Sequence, residues 1–149
     1  MLNDAVAALI AEATSGAAKN KQHVVMLTLW HGSGGAILID GKPYQGAFNK
    51  AGHFGHMVID ENGDRDVTGI PGSLEDCIGN CTIEKEVTAG FLPRMICSSH
   101  SVTETHLQEK IWLRSVRQLA IGIASITNIL SPQVIVLGGG IAEAGSVFV

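Results

Sequence analysis

At 149 residues the chain is long enough for one domain with a real core, and 46% hydrophobic content with a net charge of −4 fits a soluble globular protein. There is no basic excess, so no direct nucleic-acid partner is expected of this segment. No apolar run reaches membrane-spanning length, and the N terminus lacks the basic, apolar, small-residue order of a signal peptide. Cys77, Cys81 and Cys97 are an odd set with no secreted disulfide framework, which makes a reducing cytoplasm the simplest compartment.

Met1-Leu2 passes at once into helical sequence. Asn3-Asp4 precede Ala5 to Ala13, rich in the best helix former, and either residue can cap the free N–H groups of that helix. Ser15-Gly16 begins the exit loop, and Lys19 to Gln22 is a polar link to the apolar strand Val24–Leu29. His31-Gly32-Ser33-Gly34-Gly35 then predicts a glycine-rich turn, with Ile37 to Ile39 returning as a second strand and Asp40-Gly41 as a tight hairpin turn. Such a turn leaves backbone N–H groups uncovered and able to cradle phosphate, or serves simply to reverse the chain.

Asn49 to His56 reads as a glycine-punctuated loop with two histidines. Met57-Val58-Ile59 predicts a third strand, completing an antiparallel meander. After the turn Gly69 to Gly72, Ser73 is a good N-cap with Asp76 three positions on, opening a helix from Leu74 to about Glu86. Thr88 to Ser101 shows no clear period. From about Thr103 to Leu130 the residues Leu107, Ile111, Val116, Leu119, Ile123, Ile126 and Leu130 fall on one helical stripe, with Gly122 and Ala124 allowing close approach and Ser131-Pro132 as the stop. That stripe serves core packing or a homodimer interface. Val134 to Leu137 predicts a strand buried on both faces, followed by Gly138-Gly139-Gly140 and a helix from Ile141. Strand, glycine turn, helix is a nucleotide-binding geometry. The pattern stops inside that helix, so the chain reads as a segment of something longer. The whole is one α/β domain: a meander, then a right-handed strand–helix–strand crossover.

The motifs, taken in order, resemble the ROK family of bacterial sugar kinases, such as glucokinases, and related sugar-sensing repressors. Asn3-Asp4-Ala5 through Glu12 is similar to the helix that carries the catalytic aspartate. His31 to Gly41 is similar to a threonine-glycine-isoleucine-glycine-glycine hairpin, and Ala51-Gly52-His53-Phe54-Gly55-His56 to an alanine-glycine-glutamate-x-glycine-histidine motif. Gly72-Ser73-Leu74-Glu75 resembles the end of a zinc motif, and Ser131 to Gly145 also matches. The resemblance implies a ribonuclease H-like fold of the actin and hexokinase kind, with residues 1–149 as the second of two lobes and the first, ATP-binding lobe absent.

It further implies that Asp4 is the general base, taking the proton from a sugar hydroxyl as that oxygen attacks the γ-phosphate of ATP. Asn3, His53, His56 and Glu75 would bind the sugar, Gly32 and Gly34 would offer amides to the phosphates, and Gly138, Gly139 and Gly140 would pass beside the adenosine. Mg²⁺ would neutralise the phosphates. Taken residue by residue, Asn3-Asp4 also suit a plain helix cap, His56 a hydrogen-bonded loop histidine, and Glu75 a first-turn acid favoured by the helix dipole.

Several positions depart from the family pattern. His31 stands for the phosphate-contacting threonine and His53 for a sugar-binding glutamate. Asp66, Thr68 and Ser73 fill the three cysteine positions of the zinc motif, leaving only His56, so a structural zinc is not expected. The expected function is therefore part of an ATP-dependent hexose kinase that transfers the γ-phosphate to a hydroxyl of a glucose-type sugar, with the isolated chain inactive. The alternatives are a lobe of a sugar-sensing repressor or a non-catalytic sugar-binding remnant.

Overall fold

The computed structural model describes residues 3–30, 32–78 and 102–140, and for 102–109 and 111 the backbone alone. Helix α1 (Asp4–Ser15) leads into strands β1 (Val24–Leu29), β2 (Ser33–Ile39) and β3 (Lys42–Tyr44). A 3₁₀ turn (Phe54–His56), helix α2 (Leu74–Ile78), the long helix α3 (Val102–Leu130) and strand β4 (Val134–Gly138) follow. The strands form one sheet in the order β3-β2-β1-β4, with β1 antiparallel to β2 and parallel to β4.

Strand alternation divides the core into two layers. Val24 and Met26 of β1, with Ala36, Leu38 and Val136, pack against Ala5, Val6 and Leu9 of α1. Val25, Leu27 and Leu29, with Ile37, pack on the opposite face against Phe54, Leu74, Ile78 and Ile126. Helix α1 begins where Asn3, in extended backbone, accepts the Ala5 N–H, and ends where the Gly16 N–H reaches the Glu12 carbonyl.

The β2–β3 turn falls at Asp40-Gly41 as the sequence predicts; both residues have positive φ (51° and 73°), the type I′ geometry that matches strand twist. Two other expectations are corrected. The third strand of the meander is Lys42–Tyr44, not Met57 to Ile59. Those later residues spend their backbone groups elsewhere: the Met57 carbonyl accepts from the Leu74 N–H, and the Ile59 N–H donates to the Gly72 carbonyl. Only a single bridge, Val58 to Ser73, remains of the expected strand. Likewise Ser33, Gly34 and Gly35 lie within β2, opposite Leu29, Thr28 and Leu27, rather than in a turn.

In α3, Ile126 is buried and Leu119, Ile123 and Leu130 pack partly into the core, so core packing accounts for that part of the stripe. Val116 and Ala124 are exposed instead, while the Leu107 and Ile111 side chains lie outside the described residues. Gly122 does admit a neighbour: a Cβ there would lie 3.4 Å from Leu74 Cδ1. Strand β4 is not buried on both faces throughout. It forms an edge of the described sheet, and Leu137 is exposed. The continuation of α2 to Glu86, the loop Thr88 to Ser101 and the helix from Ile141 fall outside the described residues. No helix among the described residues is long and apolar enough to cross a membrane.

Candidate active site

Three elements meet at the start of β2, and missing side chains allow it. A Cβ on Gly34 would lie 2.8 Å from Thr28 Oγ1 and 4.0 Å from Ala5 Cβ, so the first turn of α1 stands over this glycine. A Cβ on Gly55 would strike the Ser33 carbonyl, which seats the 3₁₀ turn against the same point. A Cβ on Gly32 would lie 2.9 Å from Glu75 Oε2, at the first turn of α2. Residues distant in sequence thus converge because three glycines let backbones approach.

Asn3 and Asp4 are exposed at the N terminus of α1. The Ala5 N–H donates to Asn3 Oδ1 (3.1 Å) and to Asp4 Oδ1 (2.7 Å). The cap reading is therefore true of both. It leaves the Asn3 amide N–H₂ to donate and Asp4 Oδ2 to accept.

Glu75 does more than lie at a helix start. Its Oε2 accepts the Ser33 N–H at 2.9 Å, joining α2 to β2 across the site. That bond takes up the amide lying between Gly32 and Gly34, the two expected to face phosphate; with Gly34 and Gly35 in the strand, the exposed Gly32 is what remains of the open turn. His31 lies outside the described residues.

His53 is exposed, and its ring centroid is 6.4 Å from that of the half-buried His56. His56 Nδ1 lies 3.0 Å from Asp66 Oδ2. The other carboxylate oxygen, Oδ1, accepts the Thr68 N–H (2.8 Å), the Thr68 hydroxyl (2.7 Å) and the Ile70 N–H (3.0 Å). The Thr68 hydroxyl bond, with His56 and the two amides, holds the Asp66 carboxyl well below the usual carboxylate range despite its burial.

The zinc implied by the family does not fit these residues. Thr68 and Ser73 are poor ligands, and the Ser73 hydroxyl is turned to α2, accepting the Asp76 N–H at 3.3 Å as the predicted N-cap. Cys77 offers no replacement: its thiol lies toward the Gly72 carbonyl, and burial, then the nearby Asp60 charge, push its pKa up, away from the thiolate a metal needs. Cys81 lies outside the described residues. Among the described residues no three potential ligands come together.

Gly138 pairs with Thr28 at the carboxyl end of the parallel strands, where ligands of open α/β sheets bind. Gly139 has φ of 101°, and a Cβ there would strike the Leu29 carbonyl. A Cβ on Gly140 would lie 3.1 Å from the Trp30 ring. The glycine turn thus folds over the end of β1, beside the half-exposed Trp30. A cleft of about 110 Å³ lies at the other end of β1, lined by His23, Leu38, Leu130 and Pro132 among others, remote from these glycines along the strands. Sequence reasoning took Asp66 only as a replaced zinc position and missed its bond to His56, and it missed Trp30 beside the glycine turn. The Asp-x-Thr spacing, an Asx-turn signature, was the available signal for Asp66; nothing comparable marked Trp30.

The sequence profile of the ROK family matches residues 1–148. The chain is 35% identical to the N-acetylmannosamine kinase of Vibrio cholerae over 97% of its own length and 50% of that protein's. Among solved structures it superposes on the ROK hexokinase of Thermus thermophilus with a TM-score of 0.82, at 29% identity, covering 95% of this chain and 50% of that one. It superposes on a ROK family transcriptional regulator, a homologue of the E. coli MLC protein, with a TM-score of 0.79 at 28% identity, covering 97% of this chain and 40% of that one. The chain spans about half the length of the curated relatives it matches. Its mixed four-stranded sheet and flanking helices are a lobe of the ROK hexokinase-type fold, and the chain belongs to the ROK family.

Proposed function

We propose that this chain is the second lobe of an ATP-dependent hexose kinase and carries its sugar site and catalytic base. The observation that carries the reading is the placement of Asp4: at the N terminus of α1 its Oδ2 has no hydrogen-bond partner among the described residues, the next residue, Ala5, packs near Gly34, and Glu75 is anchored at the neighbouring Ser33. Phosphoryl transfer asks the protein chiefly for positioning and charge management. Asp4 Oδ2 accepts the proton of the attacking sugar hydroxyl, and the Asn3 amide donates to a neighbouring one. Glu75 Oε1, which does not hold Ser33, and the His56 imidazole accept from further hydroxyls, while His53 stands beside His56. The exposed Gly32 faces the phosphates, and Gly138 to Gly140 pass beside the adenosine. Mg²⁺ bound with ATP would supply neutralisation of phosphate charge. A first lobe completes the nucleotide cleft. The kinase names of the Vibrio and Thermus relatives support this substrate class, with a glucose-type hexose the proposed acceptor.

Calorimetry of the chain with glucose, mannose and their N-acetylamino derivatives tests the sugar site. One of them should bind, Asp4→Asn should keep that binding, and Glu75→Ala should lose it. A second reading, a sugar-sensing lobe of a repressor, is favoured by the superposition on the ROK regulator. It predicts the same binding with no turnover when a first lobe is present. Absence of binding to any sugar or nucleotide removes both readings, and the binding-remnant version with them.

A further inference from the structure

The loop between Asp60 and Ser73 has the sequence position of a metal site without the donors for a metal, yet it is closed tightly. The Asp66 N–H donates to the Ile70 carbonyl, the Gly69 N–H to the Asp66 carbonyl, and Arg65 Nη1 to the Gly69 carbonyl. Inside this turn sits the Asp66 side chain, 2% exposed, with four hydrogen bonds converging on its two oxygens. Three come from the loop itself, and the fourth partner, His56, belongs to the 3₁₀ turn. One carboxylate therefore ties the loop to the turn that seats against Ser33.

We infer that Asp66 is a positioning residue: its carboxylate does in this chain what a metal ion would do in the loop, and it fixes His56 with the proton on Nδ1 and the lone pair on Nε2. The chemistry of the pair dictates the tautomer. An ionised carboxylate only accepts, so the 3.0 Å contact requires Nδ1–H as donor. A neutral imidazole donating from Nδ1 has Nε2 as an acceptor, and none of the described residues holds Nε2 in a hydrogen bond. The carboxylate–imidazole pair thus presents a fixed acceptor on a side chain that is 31% exposed. That the acceptor is used on a sugar hydroxyl rests on the function proposed above; the tautomer itself does not.

Long-range ¹H–¹⁵N correlation spectra of the ¹⁵N-labelled chain at pH 8 read the tautomer directly. His56 should appear as the Nδ1–H form. In Asp66→Asn the carboxamide oxygen can keep the loop amides while its N–H₂ turns to His56 Nδ1, so the signal should switch to the Nε2–H form; in Asp66→Ala it should become a mixture. Purified chain should hold well under 0.1 zinc per molecule and show the same melting temperature with and without chelator. An unchanged His56 tautomer in folded Asp66→Asn, or stoichiometric zinc lost together with the fold on chelation, overturns the inference. Should the alanine variant not fold, the asparagine variant still decides. Calorimetry with the sugar that binds the wild type separates the two layers: Asp66→Asn should weaken binding about tenfold, the loss of one hydrogen bond to a fixed acceptor. A switched tautomer with unchanged affinity upholds the lock and overturns the use of His56 Nε2 as an acceptor from sugar.

Discussion

Glu75 Oε2 accepts the backbone N–H of Ser33 at 2.9 Å, so one acid both joins α2 to the start of β2 and faces the exposed Gly32. The two roles separate by substitution. Glu75→Gln keeps an acceptor for Ser33 and should stay within about 1 kcal/mol of wild-type stability, whereas Glu75→Ala strands that amide and should cost about 1–3 kcal/mol. Urea denaturation measures both. Sugar affinity should fall in each, because the charged acceptor is gone from each.

Ser33 itself has a hydroxyl that is buried without a hydrogen-bond partner among the described residues. A buried orphan hydroxyl costs stability, on the order of 1–3 kcal/mol. Ser33→Ala removes it and leaves the amide on Glu75, so the melting temperature should hold or rise in a thermal scan.

Gly139 combines a φ of 101° with the Leu29 carbonyl in the place a Cβ would take. Gly139→Ala should lose at least about 1 kcal/mol and move the turn off the end of β1. Gly41→Ala meets nothing within 4 Å and should show only the smaller cost of its positive φ, a contrast that parallel denaturation curves would reveal.

Asp66 sets a pH dependence. Its carboxyl is held below the usual range in the folded state, by the Thr68 hydroxyl first, so the unfolded chain takes up the proton first as pH falls. Its stabilising contribution is therefore complete above the ordinary aspartate value near about pH 4 and is lost progressively below it. The stability gap between wild type and Asp66→Asn, followed by denaturation from about pH 5 to about pH 2, should shrink over that range. A gap that widens on acidification contradicts the assignment.

How much of this was legible beforehand follows from how local each cause is. Asn3 as cap, Ser73 as cap, Asp40-Gly41 as turn and Ser131 as stop are decided within a few residues, and each stands where the sequence indicates. The misplaced third strand was decided by distant partners: Met57 and Ile59 have strand-like side chains, but Leu74 and Gly72 claim their backbone groups. Gly34 and Gly35 read as a turn because their composition suggests one, whereas register with Thr28 and Leu27 extends the strand through them. At the candidate site, motif order singled out Asn3, Asp4, His56 and Glu75 as residues to examine. The Glu75–Ser33 bond, spanning 42 positions, and the closure of the loop on Asp66 needed coordinates.

The central claim is that Asp4 is the base of a sugar phosphotransferase, and its most direct test is sugar-dependent ADP release. The assay compares wild type with Asp4→Asn in the polypeptide at its full genomic length, with MgATP and the sugar found by calorimetry. Wild type should release ADP only when the sugar is present, and Asp4→Asn should fall by about 10²–10⁴-fold in kcat with sugar binding retained. Equal turnover by the two proteins, or no sugar-dependent release by wild type, would contradict the account.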